Sequence, residues 1–257
     1  MRYINKCFAK SFLIAFVMVS LSFLAGTNNR TFADYVGGDV SNGGSISGVI
    51  KMVGDVPSAK MLNVDKDQGT CGHDAIPSEA LIVSHGSELK NAVVSITNIS
   101  KGKKFSEGKV AIDQKGCIFV PHVTLIPKGQ SLDLLNSDDI MHNLHSYSMK
   151  NTAFNEGVTG GNALSRIFEY PETIKITCDV HTWMTSWLIV QDNPYYSTSN
   201  ETGAYKIDNV PAGDYTLQVW HESLGKTTKQ VSVKAGENSV VNFDLEMKAQ
   251  GKKRRRR

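Results

Sequence analysis

The 257-residue chain is sparing with cysteine (four) and proline (seven), and it carries none of the short signatures of nucleotide or hydrolytic chemistry. There is no Gly-x-Ser-x-Gly, no phosphate loop, no Gly-x-Gly-x-x-Gly after a strand and no His-Glu-x-x-His. Those absences exclude the common serine hydrolases, P-loop enzymes, dinucleotide-binding enzymes and zinc proteases. Helical periodicity is missing too, since past residue 33 no stretch supports a helix of three turns. Apolar runs are short apart from Ser11 to Leu24, and no basic block interrupts the body of the chain, so nothing resembles a nucleic-acid-binding surface.

What is present begins with a leader. Arg2, Lys6 and Lys10 precede the apolar run Ser11–Leu24, and Thr31-Phe32-Ala33 ends on a small residue, the layout of a cleaved signal peptide over 1–33. The alternative is an uncleaved anchor, but the run falls short of the roughly 18 apolar residues that a spanning helix needs. A periplasmic or secreted protein with no stable membrane span after cleavage is therefore expected. Without 1–33 the chain keeps 24 of its 28 lysines and arginines against 25 acidic residues. Six of those basic residues form the terminal run Lys252–Arg257, so the body is mildly acidic and 248–257 is expected to be a disordered basic tail.

Cys7 leaves with the leader, and three cysteines remain: Cys71, Cys117 and Cys178. Export favours disulfides, and an odd count leaves one thiol to account for. Pairing Cys71 with Cys117 leaves Cys178 free.

The rest reads as β throughout. Short runs rich in Val, Ile, Thr and aromatics alternate with Gly, Pro, Asn and Asp clusters, predicting strands from Ser45–Val53 through Ser239–Leu245. Pro57–Ser78 and Lys150–Asn162 read as loops. Asp192-Asn193-Pro194 reads as a boundary between a domain over 44–192 and a smaller unit over 194–247. About 50 residues are few for an independent sandwich, so that unit is expected to pack on the first domain or to borrow a strand, for which Ser45–Ile50 is the suggested source.

The free Cys178 lies in Cys178-Asp-Val-His181-Thr-Trp-Met184, and Met141-His142-Asn143-Leu144-His145 lies upstream. Imidazole, thiolate and a weak axial thioether are together the donors of a mononuclear blue-copper site. Thiolate suits Cu(I), imidazole suits both oxidation states, and a long thioether bond changes little when an electron arrives. Zinc is the metallic alternative, and the thioether disfavours it. A dinuclear centre would want a second cysteine in the loop.

With Phe119-Val120-Pro121-His122 and Asn136-Ser137-Asp138 leading to His142-Asn143, these motifs resemble the cupredoxin family, most nearly the amicyanin and plastocyanin-like proteins, over about 119–191. The resemblance implies a Greek-key β-sandwich holding one type 1 copper. His142, Cys178 and His181 would be the equatorial ligands and Met184 the axial one. Asn143 would tie the two ligand segments together and donate to the sulfur. It implies a non-enzymatic carrier of single electrons, with redox proteins docking near His181 and Trp183 as a point of electron exchange. The chain departs from the amicyanin pattern at Thr182, where proline usually follows the second histidine. Copper storage or delivery, and a cell-surface module without redox use, are the other readings.

Bland roles are expected for the remaining candidates. His145 is placed on the same face as His142 but deeper, in a hydrogen-bonded structural role. His122 is read as structural, while His73 and His221 have no assigned place. Asp138-Asp139 reads as a solvated turn. Thr202-Gly-Ala-Tyr205 with Val210-Pro-Ala-Gly-Asp-Tyr215 resembles the carboxypeptidase regulatory-like β-sandwich family, which implies a non-catalytic scaffold.

Overall fold

The computed structural model describes residues 34–247, so the leader and the basic tail lie outside the described residues. The protein is nearly all β. The one helix among the described residues is the single turn Gln68–Cys71, and no described helix is long and apolar enough to cross a membrane.

Two β-sandwiches are present. In the first, a four-stranded sheet orders Ala163–Ile167, Ser131–Asn136, Val110–Gln114 and Phe119–Val120. It faces a five-stranded sheet ordered Asn155–Val158, His142–Ser146, Glu172–Thr177, Thr185–Gln191 and Val123–Pro127. Side-chain alternation explains the arrangement. In Glu172–Thr177, Ile174 and Ile176 point into the core while Lys175 points out. Ile112, Phe119, Leu134, Leu144 and Leu188 complete that core.

The second sandwich draws on distant parts of the chain. One sheet orders Tyr196–Thr198, Val93–Ile96, Gly213–His221 and Gly225–Val233. The other is built on Gly44–Val53, which pairs antiparallel with Ala204–Val210 and parallel with Asn238–Val240 and Phe243–Glu246. Ile46, Ile50 and Met52 from the early strand and Val94 and Ile96 from the next share a core with Tyr205, Leu217 and Phe243. The sandwiches therefore do not divide at Asp192. The stretch 44–192 contributes two strands to the C-terminal unit, because about 50 residues cannot supply both faces of a sandwich. The Asp192–Pro194 segment is no loose linker either. Asn193 is buried, donating to the Ile96 carbonyl at 2.9 Å and accepting from Tyr195 N–H at 3.0 Å.

The two sandwiches pack through Thr185–Gln191, which is covered on both faces. Its outer side carries Ile189 against Val93 and Val123. Trp187 meets Trp220 edge to face at 5.3 Å between ring centres.

Local departures from the sequence reading have simple causes. The strand expected from Cys117 starts only at Phe119, because Gly116 and Cys117 both turn left-handed at φ 65° and 57°. Ala80–Val83 makes only an isolated bridge at Val83. The supposed loop 150–162 contains the edge strand Asn155–Val158.

Candidate metal centre

His142 opens the strand His142–Ser146, and Cys178 directly follows the strand Glu172–Thr177 beside it. Cys178 then starts a tight return. Met184 N–H donates to the His181 carbonyl at 2.9 Å, and Cys178 N–H donates to the Met184 carbonyl at 3.3 Å. One ligand segment thus comes from a strand and the other from a hydrogen-bonded loop, both backed by the core.

His142, Cys178 and His181 come together with their ligand atoms all within 4.8 Å of one another. His142 Nδ1 lies 2.8 Å from His181 Nδ1, and Cys178 Sγ lies 3.7 Å from His181 Nδ1. The three residues are 0 %, 2 % and 0 % exposed. Met184 is buried in the same core cluster as Cys178 and Trp183.

Two carboxylates face the outer edges of the imidazoles. His142 Nε2 is 2.8 Å from Asp138 Oδ2, and His181 Nε2 is 2.8 Å from Asp67 Oδ2. A carboxylate accepts and cannot donate, so each ring carries a proton on Nε2 and directs Nδ1 at the other ring. The two Nδ1 atoms, 2.8 Å apart in a sealed site, call for a proton or a metal ion between them. With a thiol completing the set, the donors fit a soft or borderline metal ion. Carboxylate–histidine pairs of this kind fix ring orientation and raise ligand basicity.

Burial pushes the His142 pKa down, with Asp138 opposing it and His181 adding to it, so the ring stays neutral at pH 7. Burial works to raise the Asp138 pKa, but the Cys117 and Gly116 N–H groups and His142 outweigh it and hold the carboxyl below its usual range. Asp138 is therefore no solvated turn residue. Its side chain is mostly buried and holds His142, while Asp139 is exposed as expected.

Asn143 ties the two segments together and donates to the sulfur through its backbone. Its backbone N–H points at Cys178 Sγ at 3.5 Å, and His181 N–H does so at 3.4 Å. Its side-chain Oδ1 accepts from Asp179 N–H at 2.7 Å and Val180 N–H at 3.3 Å, and as a thiol Cys178 donates to it at 3.1 Å.

Of the two readings open for Trp183, a point of electron exchange at the surface or buried core, the structure shows the second. Its indole donates to the Cys117 carbonyl at 3.0 Å and packs 5.1 Å from the His181 ring. The disulfide Cys71–Cys117 is present and Cys178 is free.

His145 stands three residues from His142, an odd step, so it takes the opposite face of the strand rather than the same one. There it bonds Asp179 at 3.0 Å, which holds that carboxyl below its usual range, and stacks on Tyr147. His73 and His85 are exposed. His122 sits away from the three ligands, buried against Glu222, with Nδ1 3.7 Å from Glu79. It lines a cleft of about 520 Å³ behind Thr182, Trp183 and Met184.

His221, next to that pair, is buried and its pKa is pushed down to about 4, chiefly by burial. The unfolded chain takes up this proton near pH 6.5 and the folded one refuses it until about pH 4. Stability from neutral His221 is thus complete above pH 6.5 and falls by on the order of 3 kcal/mol as pH drops to 4. Urea midpoints of wild type and His221→Gln across that range should converge on acidification. Parallel curves would refute the assignment.

Asp67 and Asp138 were not singled out from the sequence as functional. The only available signals were Asn136-x-Asp138 shortly before His142, and the Cys71 pairing that draws Asp67 towards the site.

Comparison with known proteins places residues 189–246 in the carboxypeptidase regulatory-like domain family. No curated protein sequence matches the chain. Among solved structures, the copper-containing nitrite reductase (NirK) from Thermus scotoductus SA-01 is 20 % identical over 35 % of this chain, with a TM-score of 0.31. This chain spans only 24 % of the length of that reductase. A purple cupredoxin from Nitrosopumilus maritimus is 21 % identical over 32 % of this chain and 100 % of its own, with a TM-score of 0.29. The reduced Cu(I) form of an amicyanin variant is 18 % identical over 34 % of this chain and 87 % of its own, with a TM-score of 0.31.

Proposed function

We propose that the protein binds one copper ion through His142, Cys178, His181 and Met184 and carries single electrons, without catalysing a reaction of its own. The observation that carries this reading is the facing pair of imidazole Nδ1 atoms, 2.8 Å apart beside a buried free thiol, with each ring held from behind by a carboxylate. Copper, when bound, supplies a one-electron couple between Cu(II) and Cu(I).

The residues supply the rest. Asp67 and Asp138 orient the two rings, and the Asn143 and His181 N–H groups stabilise negative charge on Cys178 Sγ. Core packing around Met184 and Trp183 keeps water out and the loop stiff, so an arriving electron meets a site that barely rearranges. Storage or delivery would call for an exposed, exchangeable site, and ligands sealed this fully favour the carrier. The disulfide suits an oxidising compartment, and on this reading the protein works in the periplasm or outside the cell. A redox partner docking near His181 would meet the Asp67 segment and not the imidazole edge itself, because His181 lies beneath it.

The test is the visible spectrum of the chain titrated with Cu(II). One equivalent is expected to produce an intense thiolate-to-copper band that mild reductant bleaches and air or ferricyanide restores. A pale spectrum at full copper occupancy would overturn the electron-carrier reading.

A further inference from the structure

We infer that the Cys71–Cys117 disulfide braces the metal centre, that Asp67 and Asp138 are its positioning residues, and that metal passes in and out on the Asp67 side. This rests on the copper-site reading above.

Cys117 is the junction of three connections. Its left-handed backbone, following a left-handed Gly116, turns two successive N–H groups onto one carboxylate. Gly116 donates to Asp138 Oδ1 at 2.6 Å and Cys117 to Asp138 Oδ2 at 2.8 Å. That same Oδ2 holds His142 Nε2. The Cys117 carbonyl accepts from Trp183 in the ligand loop, one residue before Met184.

The Cys117 side chain reaches the other imidazole. Its sulfur is bonded to Cys71, and Cys71 and Thr70 both donate their N–H groups to the Asp67 carbonyl at 2.9 Å. Asp67, itself left-handed at φ 45°, then presents Oδ2 to His181 Nε2. One covalent bond therefore fixes the carboxylates behind both rings.

The Asp67 side is also the thin side of the site. Asp67 is 48 % exposed while His181 beneath it is 0 % exposed. The 57–78 segment has little else to hold it. It contains a one-turn helix, a two-residue ladder between Met61–Leu62 and Ile76–Pro77, and Val64 packed in the core. A segment with so few backbone bonds opens locally at low cost unless something ties it down.

The experiment uses the full chain and two readouts. The first is the rate at which iodoacetamide alkylates Cys178 in metal-free, folded protein. The second is the rate at which a chelator removes bound Cu(II). Cys71→Ser/Cys117→Ser should raise both rates at least tenfold and Asp67→Ala several-fold, with Asp67→Asn closest to wild type. Phe243→Leu, in the other sandwich, should lower Tm without changing either rate.

If the double serine variant does not fold, Asp67→Ala, which keeps the disulfide, decides the matter. Unchanged alkylation in Asp67→Ala, or equal acceleration in Phe243→Leu, overturns the brace. Faster alkylation in a chain that binds no copper would sustain the brace and sink the copper reading, so the two fail separately.

Discussion

Replacing Cys178 with serine is expected to abolish the intense blue band and the redox response while leaving the fold intact. The thiolate is the one anionic, soft donor in the set, and serine offers a hard, neutral hydroxyl that does not ionise near neutral pH. Loss of an outer hydrogen-bond partner costs roughly 10–100-fold in metal affinity, and removing the anionic ligand itself should cost more. Stability should change little. Serine is nearly isosteric, the Asn143 and His181 N–H groups retain an acceptor, and Cys178 takes no part in the disulfide. The expected loss is on the order of 1 kcal/mol. Copper titration followed at the band maximum, with a thermal melt of the same sample, checks both halves. An undiminished band in Cys178→Ser would remove the thiolate from the site altogether. Met184→Leu should be milder, shifting the band and the potential but keeping the colour, because an axial thioether bonds weakly.

A fragment comprising 189–246 is expected not to fold, although it matches a recognised domain family. That fragment lacks Gly44–Val53, the strand on which one sheet is built, and Val93–Ile96, which lies between two strands of the other. With them go Ile46, Ile50, Met52, Val94 and Ile96, all buried. At about 1.5–3 kcal/mol per buried apolar side chain, their loss removes on the order of 10 kcal/mol. That is comparable with the whole stability of an ordinary domain. Calorimetry should show no cooperative transition for 189–246 and a sharp one for 34–247, and fusing 34–97 to the fragment should restore cooperativity. A sharp melt from the bare fragment would contradict the shared-sandwich architecture.

The ligands and the scaffold were unevenly legible in the sequence. Cys178, His181 and Met184 stand within one short loop, and a free cysteine left after pairing Cys71 with Cys117 points to the same residue. Such local signals survive without any knowledge of the fold. Asp67 bonds a histidine 114 positions away, and nothing local distinguishes it from the other turn aspartates. Asp138 looked like one of a solvated pair because its partners, the Gly116 and Cys117 amides, reach it only through two left-handed residues. His145, three residues from His142, takes the opposite side of the strand, so the same-face expectation fails on residue count alone. The small size of the C-terminal unit points to a strand borrowed from Ser45–Ile50, and Gly44–Val53 does pair there. Nothing local, however, marks Val93–Ile96 as the strand between Tyr196–Thr198 and Gly213–His221.

The pairing of Gly44–Val53 bears on how the chain can acquire its structure. Ser45 hydrogen-bonds Asn238, 193 positions further along the chain, so an early strand cannot be satisfied until nearly the last one exists. Closing so long a loop costs entropy before any contact repays it, and topologies dominated by distant pairings fold slowly. Synthesis runs at about 5–20 residues per second, so Ile46 and Ile50 would wait roughly 10–40 seconds for their partners to emerge. The first sandwich, complete by residue 191, can close ahead of the second, which must await the last strands.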